Sequence, residues 1–466
     1  MNNSEKQKSL SPYLLVLLSF IAVILIGSFL LTLPMSHLSG QWGNYLDSLF
    51  ISTSATCVTG LCTYESGLGG ELTLFGQAVV LVMIQIGGLG FITIFAFFIS
   101  IFTRKLKFKD RLFLSHAVNS TTVAQVSRFV SRVVVIVVVC ELTGFLLGLP
   151  IFLNPEYLEA TGLSIPRALW MSLFTSISAF NNAGFDVFGS TSLLSGVGNI
   201  YIDSMQTWMR YYFLSYIMIL IIIGGISFVV IIEIFFLRKT PKQWSSFTKI
   251  VLTTTGILLA AGTLIFFLTE GITGNMTPFE ALFQSVTTRT AGFAVYDQNN
   301  LSIAGKTFSS LLMFIGGSPI GTAGGIKTTT IFMIALSFIR FIQGRQIVAF
   351  KRQYTRLSII KAMSLVFLSI MIVIIGFSVV ISLESAASNA LATSENTIFE
   401  VFSAFGTTGL SCNLTTTLTV GSRIVLILLM FFGRLGPITM FQIFQQNMDK
   451  EQNKHFKYIE SDVIIG

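Results

Sequence analysis

Ser48-Leu-Phe-Ile-Ser-Thr-Ser-Ala-Thr-Cys-Val-Thr-Gly60-Leu61 is a run of apolar and hydroxyl side chains ending in glycine, and the chain carries four versions of it. Ser172-Leu-Phe-Thr-Ser-Ile-Ser-Ala-Phe-Asn-Asn-Ala-Gly184-Phe185 matches at the start, the middle and the end. The third is Ala281-Leu-Phe-Gln-Ser-Val-Thr-Thr-Arg-Thr-Ala-Gly292-Phe293, and the fourth is Ile398-Phe-Glu-Val-Phe-Ser-Ala-Phe-Gly-Thr-Thr-Gly409-Leu410. Phe50, Phe174 and Phe399 stand ten residues before their glycines, and Phe283 stands nine before its own. The glycines are 124, 108 and 117 residues apart, so one unit repeats across nearly the whole chain. A second signature follows each: Gln85-Ile-Gly87-Gly88, Ile223-Gly224-Gly225, Ile315-Gly316-Gly317 and Phe432-Gly433-Arg434.

Around these runs lie nearly charge-free stretches at about 12–33, 73–102, 133–153, 211–237, 248–269, 308–339, 362–383 and 422–445, long enough to cross hydrocarbon. With 53% hydrophobic and 11% charged residues and a mean hydropathy of +0.78, the chain belongs in lipid. The glycine-ending runs between paired stretches are too short to span and too apolar for surface loops, so they read as re-entrant. The expected fold is an all-α polytopic membrane protein of four parallel helix–pore loop–helix repeats around a pseudo-fourfold axis, with eight transmembrane helices plus re-entrant pore helices. The repeats divide as 1–110, 111–240, 241–350 and 351–448, with a tail at 449–466. An even number of spans per unit gives all four the same orientation.

Roughly three quarters of the Lys and Arg fall at the N-terminus, in 104–132, 238–249 and 340–361, and in the tail. The basic-loop bias makes these segments, and both termini, cytoplasmic in a multi-pass cell-membrane protein. The opposite loops hold most of the acids, among them Asp47, Glu270, Glu280, Glu384 and Glu400, and predict an acidic outer vestibule.

Other classes find little support. The net charge of +8 is scattered between apolar runs rather than gathered into a nucleic-acid face. The four cysteines have no zinc spacing, leaving a lone Cys57–Cys62 bridge as one option, and His37, His116 and His455 are not grouped for metal or catalysis. No residue cluster suits a membrane enzyme, and no glycine-rich phosphate loop follows a predicted strand.

A desolvated monovalent cation needs several oxygen ligands, and rings of backbone carbonyls supply them without adding fixed charge. Glycine lets four main chains approach closely and opens conformations closed to other residues. One glycine in a membrane segment is usually a packing or turn residue; four in register point to a filter. Its expected residues are Val58, Thr59 and Gly60; Asn182, Ala183 and Gly184; Thr290, Ala291 and Gly292; and Thr407, Thr408 and Gly409. The helices before them would aim their negative C-terminal ends at the ion.

In the third unit Gly316-Gly-Ser-Pro-Ile-Gly-Thr-Ala-Gly-Gly-Ile-Lys327 interrupts an apolar span. Irregular backbone at that depth is tolerated when buried or lining a cavity, so the segment should face the permeation path; a packed kink is the alternative. Arg434, mid-span, should face the cavity and pair with this segment, with carbonyls or with an acid. Arg289 should brace the third loop from behind. Glu141 and Glu233 read as structurally paired, with proton carriage the competing role.

These motifs make the chain resemble the Trk/Ktr/HKT superfamily of potassium transporters over essentially its full length, and most of all the bacterial Ktr-type membrane subunit. The resemblance implies gated, channel-like potassium uptake through a short filter, open to modulation by sodium, with sodium- or proton-coupled symport as the alternative and no enzymatic activity. It makes Gly316, Gly317, Ser318, Gly321, Thr322, Gly324, Gly325 and Lys327 an intramembrane gate and Arg434 a barrier below the filter. It also implies a homodimer and a separate cytoplasmic ring of Rossmann-type regulatory subunits, which alone would bind nucleotide.

Overall fold

The computed structural model describes residues 12–90, 123–188, 207–237, 240–272, 274 and 276–436. Most of the basic segment 104–132, the tail, His116 and His455 lie outside them. The fold is helical, with one two-stranded hairpin (β1, Val348–Ala349; β2, Arg352–Gln353) in the 340–361 connection.

The first unit contains α1 (Pro12–Thr32), α2 (Tyr45–Thr56) and α3 (Leu74–Leu89). The second contains α4 (Val123–Phe152), α5 (Ile165–Asn181) and α6 (Thr207–Gly225). In the third, α7 (Ser246–Phe266) and α8 (Pro278–Thr287) precede an inner helix split into α9 (Ile303–Phe314) and α10 (Thr328–Ile342). The fourth has α11 (Arg356–Ala386), α12 (Ser394–Gly406) and α13 (Val420–Leu435).

The apolar helices differ in length. Among the described residues, four helices are long and apolar enough to cross a membrane: Phe129–Phe152, Trp208–Gly225, Ser246–Gly271 and Arg356–Ala386. Leu74–Leu89, Ile303–Phe314 and Thr328–Ile342 are apolar but shorter than the roughly 20 residues that 30 Å of hydrocarbon requires, while α1 adds a fifth apolar helix of that length, 21 residues. α3 stops at Gly90, whose φ of 74° leaves the helix, and the predicted 308–339 span is interrupted between α9 and α10. The chain is a multi-pass membrane protein whose apolar helices differ in length.

The short helices α2, α5, α8 and α12 form the interior: Phe50, Phe174, Phe283 and Phe399 are each 0% exposed. Three of them are pinned to the unit's first long helix by the same side chain. Ser52 Oγ donates to Ile24 O (2.7 Å), Ser176 Oγ to Glu141 O (2.7 Å) and Ser285 Oγ to Leu259 O (3.0 Å). Gly27, Gly144 and Gly262 leave the space those hydroxyls occupy. Val401 occupies the corresponding position in α12, and there Gly376 makes room for Leu429 of α13 instead. Side-chain oxygens of the N-cap residues Asn44, Thr277, Thr393 and Thr419 accept from helix-start amides at α2, α8, α12 and α13 and fix where those helices begin.

The four cysteines are free thiols, so no Cys57–Cys62 bridge forms.

Candidate functional site

Each short helix ends a few residues before its glycine, and the chain then makes the same unusual turn four times. Val58, Asn182, Thr290 and Thr407 take φ of 57°, 60°, 68° and 51°. Two residues later Gly60, Gly184, Gly292 and Gly409 take φ of 100°, 69°, 78° and 90°. A β-branched residue in the left-handed region is strained and persists where surrounding structure over-determines it. Those surroundings are on hand: Thr59 N donates to Ser54 O (2.7 Å), Ala183 N to Ser178 O (2.8 Å) and Thr408 N to Ser403 O (2.8 Å). In the third loop Ala291 N reaches Thr287 O (3.0 Å), one residue nearer in sequence, which accounts for Phe283 standing nine residues from its glycine.

A buried hydroxyl at the same place ties down each loop. Gly60 N and Gly409 N donate to Ser54 Oγ and Ser403 Oγ (3.1 Å each). Ser178 Oγ and Thr287 Oγ1 instead donate to the carbonyls of Phe185 (2.7 Å) and Phe293 (2.6 Å).

The loops meet one another in chain order. A Cβ on Gly60 would lie 2.5 Å from Ala183 O, and one on Gly184 would lie 2.7 Å from Ala291 O. Added to Gly292 and Gly409, it would collide with Thr408 O and Thr59 O, which closes the circle. Each glycine therefore faces the carbonyl preceding the next unit's glycine, and only hydrogen fits between them. Eight of the expected filter residues make this junction, Thr59, Gly60, Ala183, Gly184, Ala291, Gly292, Thr408 and Gly409, and Val58, Asn182, Thr290 and Thr407 open the four turns.

Below it the second glycine signature separates the units. Gly87, Gly224 and Gly433 leave no room for a Cβ against the carbonyls of Thr56, Phe180 and Phe405, each four residues before its unit's loop glycine. Gly316 does not repeat this contact: its neighbour is Gly324 O, within the irregular stretch separating α9 from α10. That stretch leans on the second unit, since Ser318 N donates to Gly225 O (3.0 Å), Thr322 N to Gly224 O (3.2 Å), and Phe228 N to Ile320 O (2.9 Å). Ser318 and Thr328 share a hydroxyl contact (3.1 Å), and Thr322 Oγ1 donates to Phe180 O (3.3 Å). Gly317, Gly321 and Gly325 fit where neighbouring backbone or Ala323 comes close, and Gly324 lies against the Thr407 side chain.

Three cations converge here. Arg434 donates to Thr322 O and Gly87 O and approaches Gly88 O (3.5 Å), joining the irregular segment to the first unit. Lys327 Nζ donates to Ala323 O (2.7 Å) and Gly324 O (3.3 Å) of its own segment. Arg289 Nη2 lies 3.5 Å from Gly316 O, between the third loop and the start of the break. Among the described residues none of the three forms an ion pair, so backbone carbonyls are their partners.

The acidic vestibule needs correction. Glu270 and Glu384 are 0% exposed and reach across to helix starts: Ser302 N and Oγ donate to Glu270 Oε1 (3.1 and 2.5 Å), and Thr419 N and Oγ1 to Glu384 Oε1 (2.9 and 2.8 Å). Glu400, also 0% exposed, accepts from Thr415 Oγ1. Buried carboxylates must be hydrogen-bonded, and orphan amides at helix starts supply the donors. Glu65, Glu156, Glu159 and Glu395 do remain at the surface. Glu233 accepts from Ser245 N (2.9 Å) and Thr248 Oγ1 at the start of α7, and Glu141 from Gln85 and Asn181, as structural pairing requires.

A second ring lies outside the first and has no signature readable in the sequence. One polar residue on each inner helix clasps the short helix of the next unit. Gln77 Oε1 accepts from Arg167 (2.8 Å) and Trp170 (2.9 Å), and Arg210 pairs with Glu280 (2.5 Å). Lys306 donates to Asn396 (3.0 Å), and Arg423 pairs with Asp47 (2.5 Å), closing the circle.

Comparison with known proteins finds relatives over nearly the whole chain. Residues 2–456 match the family model TrkH, described as a cation transport protein. The chain is 34% identical to the potassium/sodium uptake protein NtpJ of Enterococcus hirae, over 99% of this chain and 98% of that one. It is 35% identical to the Ktr system potassium uptake protein B of Bacillus subtilis, over 98% and 97%. The crystal structure of the potassium transporter TrkH from Vibrio parahaemolyticus superposes with a TM-score of 0.66 at 18% identity, covering 95% of this chain and 86% of that one.

Proposed function

The chain belongs to the TrkH cation transport protein family, and on that premise we propose that it takes up potassium through a gated, channel-like pore built from four pseudo-symmetric repeats. The observation that carries this is the closed circle in which each loop glycine faces the carbonyl before the next. Four carbonyls per layer, held by strained backbone and buried hydroxyls, are suited to replace water around a dehydrated monovalent cation. Residues 58–60, 182–184, 290–292 and 407–409 form the filter. With one glycine per repeat it is short and discriminates less stringently than a longer stack of sites.

The segment Gly316–Lys327 is the gate, held shut by Arg434. The permanent positive charge of Arg434 in the path slows cations, and release of Arg434 from the Thr322 and Gly87 carbonyls would free the segment to move. The driving force is the membrane potential acting on the ion. Sodium enters as a modulator or second cargo, a reading supported by the potassium/sodium name of one relative. The basic loops face the cytoplasm with both termini. A second copy of the chain and a cytoplasmic nucleotide-binding ring complete the system, in keeping with relatives named as parts of a Ktr system.

Rubidium uptake into vesicles containing the purified chain tests this. The expected result is uptake driven by an inside-negative potential, competed by potassium and persisting without a sodium or proton gradient. Uptake that requires an imposed sodium or proton gradient would replace this reading with coupled symport.

A further inference from the structure

One carboxylate deep in the membrane has no part in the filter, the gate or the outer ring. Glu141 sits on α4 inside an apolar run and is 8% exposed. A carboxylate at such depth is costly and is retained where it does something specific. Its oxygens are taken by two different units: Gln85 Nε2 of α3 donates to Oε2 (3.1 Å), and Asn181 Nδ2 of α5 donates to Oε1 (2.9 Å). Asn181 also reaches Gln85 Oε1 (3.0 Å) and Ile177 O (2.9 Å). Ser176, on the same short helix, donates to the Glu141 carbonyl (2.7 Å). Gly88 leaves no room for a Cβ beside Asn181 Oδ1.

Asn181 is the last residue of α5, and the next residue is Asn182, the left-handed position opening the second loop. The corresponding residues of the other loops are Cys57, Arg289 and Gly406, and none of them hydrogen-bonds a carboxylate. Among the described residues, the second loop alone is anchored at its root to a buried carboxyl group, and that group is shared with the first unit.

We propose that Glu141 is a positioning residue for ion discrimination: through Asn181 it sets the root of the second filter strand and ties it to α3 of the first unit. This rests on the filter reading above. A contact serving only to hold helices together would change how much protein folds, whereas this contact changes which ion the folded protein prefers.

The test uses the full-length chain in reconstituted vesicles, measuring KM for potassium and the potassium-over-sodium ratio at matched protein content. N181D removes the amide donor and sets two carboxyl groups face to face, and we expect the ratio to fall about tenfold with a higher KM, because the two acids must share a proton or move apart and either shifts the strand. E141Q in the N181D background exchanges donor and acceptor, and should restore the ratio to within about twofold of wild type. E141A should lower the ratio as N181D does. Changes confined to protein yield, with KM and ratio unmoved in folded N181D and E141A, would overturn the proposal, as would a double variant no better than N181D alone. Wild-type protein that carries no potassium would instead overturn the filter reading, and this inference with it.

Discussion

Two levels of the molecule treat the same four units differently. At the loop glycines the units are alike: a left-handed residue two positions before the glycine, the same glycine φ sign, a hydroxyl in the same place and the same contact to the next carbonyl. One turn further in, three units still agree, with Gly87, Gly224 and Gly433 against carbonyls of Thr56, Phe180 and Phe405, while Gly316 turns to Gly324. On the filter reading, an ion centred on an axis needs equivalent ligands, and four like copies supply them. A gate needs one element able to move while the others hold, and an irregular segment bonded through its backbone to a neighbouring unit is such an element.

The largest expected effect is at the symmetric level. Gly292→Ser and Gly409→Ser each add a side chain where the φ is positive and a carbonyl already fills the space, so potassium KM should rise more than tenfold in both. Uptake kinetics check this; equal damage supports equivalence, and an unaffected Gly409→Ser would break it. Next comes the level that departs. Arg434→Ala removes the link between Thr322 O and Gly87 O, and maximal flux should increase several-fold with KM little changed. A fall in flux at normal protein content would contradict a barrier role.

The outer ring should respond more weakly. Arg423 and Asp47 are each less than a fifth exposed, and a double-mutant cycle on thermal unfolding should give a coupling of about 1 kcal/mol. The more exposed Arg210–Glu280 pair should give less. Smallest is Thr322→Val, which removes a 3.3 Å hydroxyl contact to Phe180 O and should cost about 1 kcal/mol or less in stability, read from the same melts.

Much of this was legible in the sequence because glycine is the residue that fits a positive φ between close main chains, so the loops leave four identical marks. The break at Gly316–Lys327 was legible for a related reason: that many glycines with a proline cannot continue a helix. Val58, Asn182, Thr290 and Thr407 gave no such mark, because their strain is imposed by neighbours and not chosen by residue type. Glu270 and Glu384 were misread as vestibule acids, since position near a helix end does not say whether a carboxylate faces water or the amides of another helix. The outer ring was invisible because its partners lie 70 to 376 residues apart and only two of its four junctions, the Arg–carboxylate pairs, share a chemistry. Helix lengths were overestimated where apolar sequence continues through a backbone break.

The central claim is that the four loops form one potassium-selecting path. The reversal potential of currents through the purified protein in a planar bilayer, under opposed potassium and sodium gradients, tests it most directly. The account predicts a reversal that follows the potassium gradient and moves toward zero in Gly292→Ser. A reversal indifferent to the potassium gradient would contradict it.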